Sequence, residues 1–201
     1  IPNRLPPERV PIVSAFHGIG DSITTEAMPV YSGLDRLAAE DGFILVYPLA
    51  RNHIGATLNI DPKNLDRNPD VRFSDQLLSH LGERFRLDPD RIYLVGMSNG
   101  ATFAQLVAFV RAEVAAVVAH SGAKPGELAA AIRPFPILLL AGAEDSAVDG
   151  MRSDAKQYGE EGHAVELIVI PGWGHRWSSD RNGAMWRFLS RHPRDRQVVE
   201  R

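Results

Sequence analysis

The chain has 201 residues, of which 44% are hydrophobic and 23% are charged, as in an ordinary globular domain. The formal net charge is −3 and no basic stripe stands out, so the sequence argues against a nucleic-acid partner. The absence of cysteine excludes disulfide bonds, a thiol nucleophile and thiolate metal ligands. We expect one domain over residues 1–201, with a large core and no membrane span.

Apolar runs alternate with segments of helical spacing along most of the chain. A proline-rich extended lead-in covers 1–10, and a charged tail covers 193–201. A long loop over 49–69 has no clear period, and loops of this length are often functional. In chain order, the other predicted elements are a strand over 12–16, a helix over 28–40, a strand over 43–47, a helix over 71–85, a strand over 91–95, a helix over 101–110, a strand over 114–119, a short helix over 127–132, a strand over 137–141, a helix over 151–161, a strand over 165–170 and a helix over 184–190.

This alternation predicts an α/β fold with a mostly parallel central sheet of about six strands or more. Strands that are apolar throughout are typical of parallel sheets covered by helices on both faces. In such sheets, ligands bind beyond the carboxyl ends of the strands. The connection from His120 to Ile137 is short, so we expect no large lid over that edge.

The third predicted strand runs into Gly96-Met97-Ser98-Asn99-Gly100, a Gly-x-Ser-x-Gly pattern followed by a helix. In a nucleophile elbow, the serine lies on a sharp turn between a strand and a helix. The alternative is a glycine-flanked turn whose serine only caps the helix. An acid and a histidine later in the chain favour the elbow.

Polar residues follow the later strands in the order serine, acid, histidine, which is the chain order of the α/β-hydrolase triad. Asp145 follows the fifth strand and His175 follows the sixth. A serine hydroxyl needs a base to take its proton, and a carboxylate fixes the orientation of that base. We therefore predict a triad of Ser98, Asp145 and His175. Glu144 and Asp149 compete for the role of the acid, but Asp149 is expected to cap the next helix.

The oxyanion formed in such a reaction needs two backbone N–H donors. The residue after the nucleophile, Asn99, is one expected donor, and Ile19 in the glycine-rich loop after the first strand is the other.

The remaining candidates surround these groups. His17 is expected to hydrogen-bond the oxyanion loop and to contact substrate together with Trp173 and Trp177. His53, in the long loop, is a further possible substrate contact, and His120 is expected to be structural. No metal or cofactor is predicted.

Three stretches resemble the polyhydroxybutyrate depolymerase and feruloyl esterase group of α/β-hydrolases. They are Gly96–Ala101 preceded by Asp88-Pro89-Asp90-Arg91-Ile92-Tyr93, the helix start Asp70-Val71-Arg72-Phe73, and Gly172-Trp173-Gly174-His175-Arg176-Trp177. The resemblance extends from about residue 10 to 190. It implies an α/β-hydrolase fold and a secreted or surface serine esterase acting on feruloyl, acetyl or hydroxyalkanoate esters, with no cofactor. It also implies Ser98, Asp145 and His175 as the triad.

The chain departs from this group in lacking cysteines, an aromatic-rich loop near 50–65, and antiparallel strands before residue 10. It begins at Ile1 rather than Met, which is compatible with removal of a signal peptide. The stretch His17-Gly18-Ile19-Gly20-Asp21 is also similar to the oxyanion loop of the carboxylesterase and acyl-protein thioesterase group. The alternatives are therefore a hydrolase of small acyl esters or thioesters, and a non-catalytic binding protein with this fold.

Overall fold

Six parallel strands form one central sheet in the computed structural model, which describes residues 8–19, 27–50, 58–63, 65–126, 128 and 130–194. The strands are β1 (Val10–Phe16), β2 (Ile44–Val46), β3 (Leu87–Met97), β4 (Ala116–His120), β5 (Ile137–Gly142) and β6 (Val165–Ile170). Their order in the sheet is β2-β1-β3-β4-β5-β6. The central position of β3 brings its carboxyl end between those of β1 and β4, with β5 and β6 beyond.

The described residues also form six α-helices. They are α1 (Ala27–Ser32), α2 (Leu34–Asp41), α3 (Pro69–Arg84), α4 (Asn99–Val110), α5 (Val148–Glu160) and α6 (Asn182–Ser190). Two short 3₁₀ turns, Leu65–Arg67 and Ser179–Arg181, precede α3 and α6. Within the described ranges, no helix is both long enough and apolar enough to cross a membrane.

Alternate residues of the strands point to opposite faces of the pleated sheet, and each face packs against helices. On one face, residues such as Leu94 and Val117 pack with α3, α4 and α5. On the other face, their neighbours Val95 and Val118 pack with α2 and α6. The predicted parallel sheet with helices on both faces is therefore confirmed.

The helix predicted over 28–40 and the start of β3 differ from their predicted form. The helix predicted over 28–40 is broken, because Gly33 adopts a left-handed φ of 65° between α1 and α2. Strand β3 begins earlier than predicted, and the pairing shifts between Val10 opposite Leu87 and Ile12 opposite Ile92. The extra residues of β3 form an irregularity in the ladder.

Several predictions lie wholly or partly outside the described residues. These are most of the lead-in and of the charged tail, the central part of the 49–69 loop with His53, the last two residues of the loop from His17 to Asp21, and the start of the helix predicted over 127–132. The described residues 130–132 of that predicted helix are irregular.

Candidate active site

The predicted nucleophile Ser98 lies on a strained turn between β3 and α4. Its φ of 55° and ψ of −122° fall outside the regions that residues with a side chain normally adopt. Such a conformation costs free energy, so it persists only where the surrounding structure enforces it. This backbone geometry is that of a sharp strand-to-helix turn.

The two glycines of the motif lie where a side chain has no room. A Cβ at Gly96 would lie 2.2 Å from the carbonyl oxygen of Gly100. A Cβ at Gly100 would lie 2.4 Å from the carbonyl oxygens of Phe16 and His17. These are backbone atoms, so relief would require a shift of the helix or of the loop after β1. Close backbone approach is therefore the reason for glycine at both positions.

The structure brings Ser98, His175 and Asp145 together from the ends of β3, β6 and β5. Nε2 of His175 lies 2.9 Å from Oγ of Ser98, and Nδ1 lies 3.0 and 3.1 Å from the two carboxylate oxygens of Asp145. An ionised carboxylate only accepts hydrogen bonds, so Nδ1 carries the proton and donates it to Asp145. Nε2 is thus free to accept from the Ser98 hydroxyl, and this arrangement can take up the serine proton.

Asp145 is buried and ionised. Burial alone would raise the pKa of Asp145, but hydrogen bonds from the Ser121 hydroxyl, the Ala147 N–H and His175 together lower it below its ordinary value. The carboxylate is therefore negative at neutral pH, where it can stabilise a protonated His175.

The two competing acids lie elsewhere. Glu144 is exposed, and the side chain of Asp149 is 92% exposed beside Arg152. The prediction that Asp149 caps α5 is wrong, because the helix begins at Val148 with Ala147 as its N-cap. The backbone oxygen of Asp145 accepts the Val148 N–H at 3.0 Å and closes the turn before the helix.

The segments that carry the two predicted oxyanion donors both lie near Ser98. Asn99 is the first residue of α4, and the first N–H groups of a helix have no acceptor within it. In the loop after β1, a Cβ at Gly18 would lie 3.2 Å from the Ser98 Cβ. Ile19 follows Gly18 and is 60% exposed. The loop after β1 and the start of α4 therefore both approach the nucleophile.

His17 is buried beneath this loop. Its Nε2 accepts the Ala50 N–H at 3.0 Å, so its proton is on Nδ1, which donates to the carbonyl oxygen of Gly18 at 2.6 Å. The expected hydrogen bond from His17 to the oxyanion loop is therefore present. The expected substrate contact is not supported, because both ring nitrogens face the backbone and the ring is buried.

The two tryptophans beside His175 differ in environment. Trp177 is 5% exposed, stacks on His120 at 5.5 Å and donates from Nε1 to Asn182. Its surface is taken up by packing, which corrects the expectation that Trp177 contacts substrate. Trp173 is partly exposed, and the guanidinium carbon of Arg176 lies 3.9 Å from the centre of its ring. Trp173 is thus the tryptophan here that can still offer surface to a ligand.

The site opens to solvent. The side chain of His175 is 48% exposed. In the connection between β4 and β5, Ile132 donates its N–H to the Phe109 carbonyl. Phe109 lies near the far end of α4, about 15 Å along the helix from Asn99. A cavity of about 500 Å³ lies at that end, against Phe109 and Lys124, and no member of the predicted triad lines it. The described part of this connection therefore does not cover Ser98.

Two buried residues, His120 and Ser121, lie at the same edge of the sheet as the predicted triad. His120 ends β4 and Ser121 follows it with a φ of 55°. Among the described residues, Ser121 and Ser98 are the two non-glycine residues with positive φ. The one signal in the sequence was that His120 and Ser121 lie at the carboxyl end of a strand. Many residues with a purely structural role occupy such positions, so the signal is not specific. In the described part of the chain, no group of three or more histidine or acidic side chains forms a metal site.

Comparison with known proteins finds esterases. The chain is 32% identical over 145 residues to a putative esterase, NocK, from Nocardia uniformis subsp. tsuyamanensis, covering 69% of this chain and 41% of NocK. It is 31% identical over 120 residues to feruloyl esterase B from Piromyces equi, covering 56% of this chain and 22% of that protein. The chain therefore spans less than half the length of these curated relatives.

Solved structures show the same fold at lower identity. The structure of esterase PE8 is 22% identical, with a TM-score of 0.72 over 92% of this chain and 93% of that chain. Residues 1–160 match the family described as Esterase PHB depolymerase. With a parallel sheet, a serine elbow and a family match over most of its length, the chain belongs to the polyhydroxybutyrate depolymerase family of α/β-hydrolase esterases.

Proposed function

We propose that this chain is a serine esterase that hydrolyses carboxylic esters through an acyl-enzyme on Ser98. The observation that carries the proposal is the hydrogen-bonded series from Ser98 through His175 to Asp145, at 2.9 Å and at 3.0–3.1 Å. Membership of an esterase family supports the same reaction class. The proposal needs no metal or cofactor, because acyl transfer to serine uses only side chains and backbone amides.

In the acylation step, Oγ of Ser98 attacks the ester carbonyl while Nε2 of His175 takes the hydroxyl proton. The carbonyl electron pair moves onto oxygen, which faces the N–H groups of Asn99 and Ile19. Collapse of this intermediate releases the alcohol, which receives the proton from His175. Asp145 stabilises the imidazolium throughout. Each oxyanion donor contributes on the order of 3 kcal/mol to lowering the barrier.

In the deacylation step, a water molecule attacks the acyl carbon while His175 takes a proton from that water. The bond to Ser98 then breaks, the serine oxygen recovers its proton from His175, and the carboxylic acid leaves. The half-exposed ring of His175 lets solvent water reach this position directly.

For the substrate, we propose esters of feruloyl, acetyl or hydroxyalkanoate type, including esters attached to a polymer. The open site supports a bulky alcohol, because the described connection after β4 does not cover Ser98. The partly exposed ring of Trp173 supports an aromatic acyl group, which would stack on it. The similarity to a feruloyl esterase supports the same class.

The test combines active-site labelling with a substrate panel. A fluorophosphonate probe should label the parent at Ser98. The parent should also hydrolyse p-nitrophenyl acetate, p-nitrophenyl butyrate and methyl ferulate. Ser98→Ala should abolish both the labelling and the ester hydrolysis while keeping the parental circular dichroism spectrum. Ser190→Ala, at the exposed end of α6, is the matched serine control and should leave both unchanged. Activity of Ser98→Ala within tenfold of the parent would contradict the proposal.

The alternatives give different outcomes in the same panel. A non-catalytic binding protein would show no labelling and no turnover by the parent. A thioesterase-like hydrolase would be labelled at Ser98, but would prefer p-nitrophenyl octanoate or an acyl thioester over methyl ferulate.

A further inference from the structure

The base of the predicted triad lies on a segment that has no helix or strand of its own. Residues 171–178, which we call the His175 loop, join β6 to the 3₁₀ turn before α6. The side chain of His175 is 48% exposed, and its ring nitrogens contact Asp145 and Ser98. Because a half-exposed ring gains little from packing, the place of its Nε2 depends on the bonds that fix the backbone of this loop.

The hydroxyl of Tyr31, on α1, anchors the His175 loop on one side. It accepts the Trp177 N–H at 2.9 Å. Trp177 lies two positions after His175, so the Cα atoms of these two residues are at most about 7.6 Å apart. The indole N–H of Trp177 also donates to Oδ1 of Asn182 at 2.9 Å, and Nδ2 of Asn182 donates to the Ser32 carbonyl at 2.8 Å. The end of α1 is therefore joined to Trp177 both directly and through Asn182.

The buried ring of His120, at the end of β4, anchors the next residue of the loop. Its Nε2 accepts the Ser178 N–H at 3.2 Å. A backbone N–H can only donate, so Nε2 is unprotonated and the proton of a neutral His120 is on Nδ1, 2.9 Å from Oγ of Ser121. Burial lowers the pKa of His120 to about 4, so at neutral pH the ring stays neutral and Nε2 stays an acceptor.

These anchors act on two consecutive backbone groups from different elements of the fold. The N–H of Trp177 is held by α1, and the N–H of Ser178 is held by β4. The Trp177 ring stacks on His120 between them, with ring centres 5.5 Å apart, and both rings are buried. Trp177 thus fastens the loop that carries the base, which is a use for this side chain that requires no contact with substrate.

We propose that Tyr31 and His120 are positioning residues that hold the His175 loop so that Nε2 of His175 stays within reach of Oγ of Ser98. The inference rests on the proposed esterase function. Loss of either acceptor would let the backbone of the loop move, and a displacement of about 1 Å can cost up to about 100-fold in rate. Neither side chain needs to touch the ester, so the loss should appear in kcat and leave KM unchanged.

Tyr31→Phe is the first test, because it removes the acceptor and keeps the ring of a side chain that is 44% exposed. We expect kcat for p-nitrophenyl acetate to fall about fivefold, as for loss of one hydrogen bond, with KM within about twofold of the parent. Tyr47→Phe is the matched control, because the Tyr47 hydroxyl bonds Asp35 and Ser32 rather than the loop, and its kcat should stay within about twofold. A parental kcat in Tyr31→Phe, a loss confined to KM, or an equal loss of kcat in Tyr47→Phe would overturn the proposal.

Two substitutions of His120 ask whether the acceptor itself matters. The amide oxygen of glutamine can reach the position of Nε2 and accept the Ser178 N–H, whereas the shorter asparagine reaches only the position of Nδ1. His120→Gln should therefore retain a kcat about fivefold higher than that of His120→Asn, at a similar KM. Equal kcat values in the two folded variants would overturn the proposal. If either variant fails to fold, Tyr31→Phe still decides.

A third measurement does not depend on turnover. Proton NMR of the unreacted parent should show a low-field Nδ1–H resonance of His175, bonded to Asp145. In Tyr31→Phe this resonance should broaden through faster exchange with water, while Tyr47→Phe should keep the parental line. An unchanged resonance in Tyr31→Phe would overturn the proposal. If the parent hydrolyses none of the esters, the proposed function fails, while this resonance still decides whether Tyr31 positions the histidine.

Discussion

Asn99 binds the backbone of Leu58 through both polar atoms of its side-chain amide. Oδ1 accepts the Leu58 N–H at 2.8 Å, and Nδ2 donates to the Leu58 carbonyl at 3.2 Å. The residue after the predicted nucleophile is therefore tied to a segment 41 positions away in the chain. This segment belongs to the long 49–69 loop, so one effect of the loop is to brace the start of α4.

Asn99→Ala should remove both bonds and keep the backbone N–H of residue 99. We expect roughly 2 kcal/mol less free energy of unfolding, at about 1 kcal/mol for each buried hydrogen bond. We also expect kcat to fall about tenfold, because the donor next to Ser98 is held less rigidly. Urea unfolding and p-nitrophenyl acetate kinetics measure the two effects.

Asp75→Ala provides the control for Asn99→Ala. It breaks the two-point ion pair with Arg111 just beyond the far end of α4 and should lower stability while leaving kcat within about twofold. If Asp75→Ala lowered kcat as much as Asn99→Ala, the effect of Asn99 would be one of stability alone.

Substitutions of Ser98 should separate backbone strain from chemistry. Both Ser98→Ala and Ser98→Gly should be inactive. Ser98→Gly should be more stable than Ser98→Ala by about 1 kcal/mol, because a φ of 55° with a ψ of −122° strains any residue with a Cβ. Thermal unfolding compares the two variants, and an equal or lower melting temperature for Ser98→Gly would show that the turn carries no such strain.

Substitutions of the acids should identify the group that orients His175. Asp145→Asn should lower kcat by about 10⁴-fold, because an amide favours the wrong tautomer of the histidine. Asp149→Asn should change kcat by less than about twofold, because the side chain of Asp149 is 92% exposed in the first turn of α5. Steady-state kinetics with p-nitrophenyl acetate tests both, and the reverse pattern would assign the role to Asp149.

The buried His120 predicts a pH dependence of stability. Burial lowers the pKa of His120 to about 4, so between pH 4 and about 6.5 the unfolded chain binds the extra proton and the folded protein does not. Stability should therefore fall by roughly 3 kcal/mol as the pH decreases through this window, and His120 should contribute no slope above it.

His120→Gln should flatten this part of the curve, as measured by urea unfolding at several pH values. His163 is also buried with a lowered pKa, but it is present in both proteins and cancels in the comparison. Parallel curves for the parent and His120→Gln would contradict the prediction.

The open site predicts how activity depends on acyl chain length. An enclosed tunnel would gain about 0.8 kcal/mol for each buried CH₂, so kcat/KM would rise several-fold for each added methylene. The half-exposed His175, together with a described β4–β5 connection that does not cover Ser98, predicts a flat or falling kcat/KM beyond four carbons, with aromatic esters accepted. A p-nitrophenyl ester series provides the measurement, and a steady rise through eight carbons would indicate a lipid-handling enzyme instead.

The sequence predicted those features that depend on local pattern. The β6 strand has the predicted bounds, because an apolar run between turns leaves few alternatives. The glycines at 96 and 100 were recognisable because an elbow requires close backbone approach at both positions. The break at Gly33 was not recognised, because an isolated glycine is also tolerated inside a helix.

Features that depend on long-range packing could not be predicted in the same way. The hydrogen bond from the Ser121 N–H to the Leu140 carbonyl exists because β4 pairs with β5 so that His120 lies opposite Leu140. Nothing in a single sequence gives that register. The environment of Trp177 likewise depends on the ring of His120 beneath it, so its motif alone could not distinguish a buried residue from one that contacts substrate.

The backbone contact at Gly142 limits how this fold can be redesigned. A Cβ at Gly142 would lie 1.8 Å from the carbonyl oxygen of Trp173, and that same oxygen accepts the Glu144 N–H at 2.9 Å. The turn carrying Asp145 is thus built directly against the turn carrying His175. A loop graft from another esterase that replaced one of these turns would alter the shape the other requires. Segments 142–148 and 170–178 should therefore be replaced together when chimeric or recombined enzymes are made.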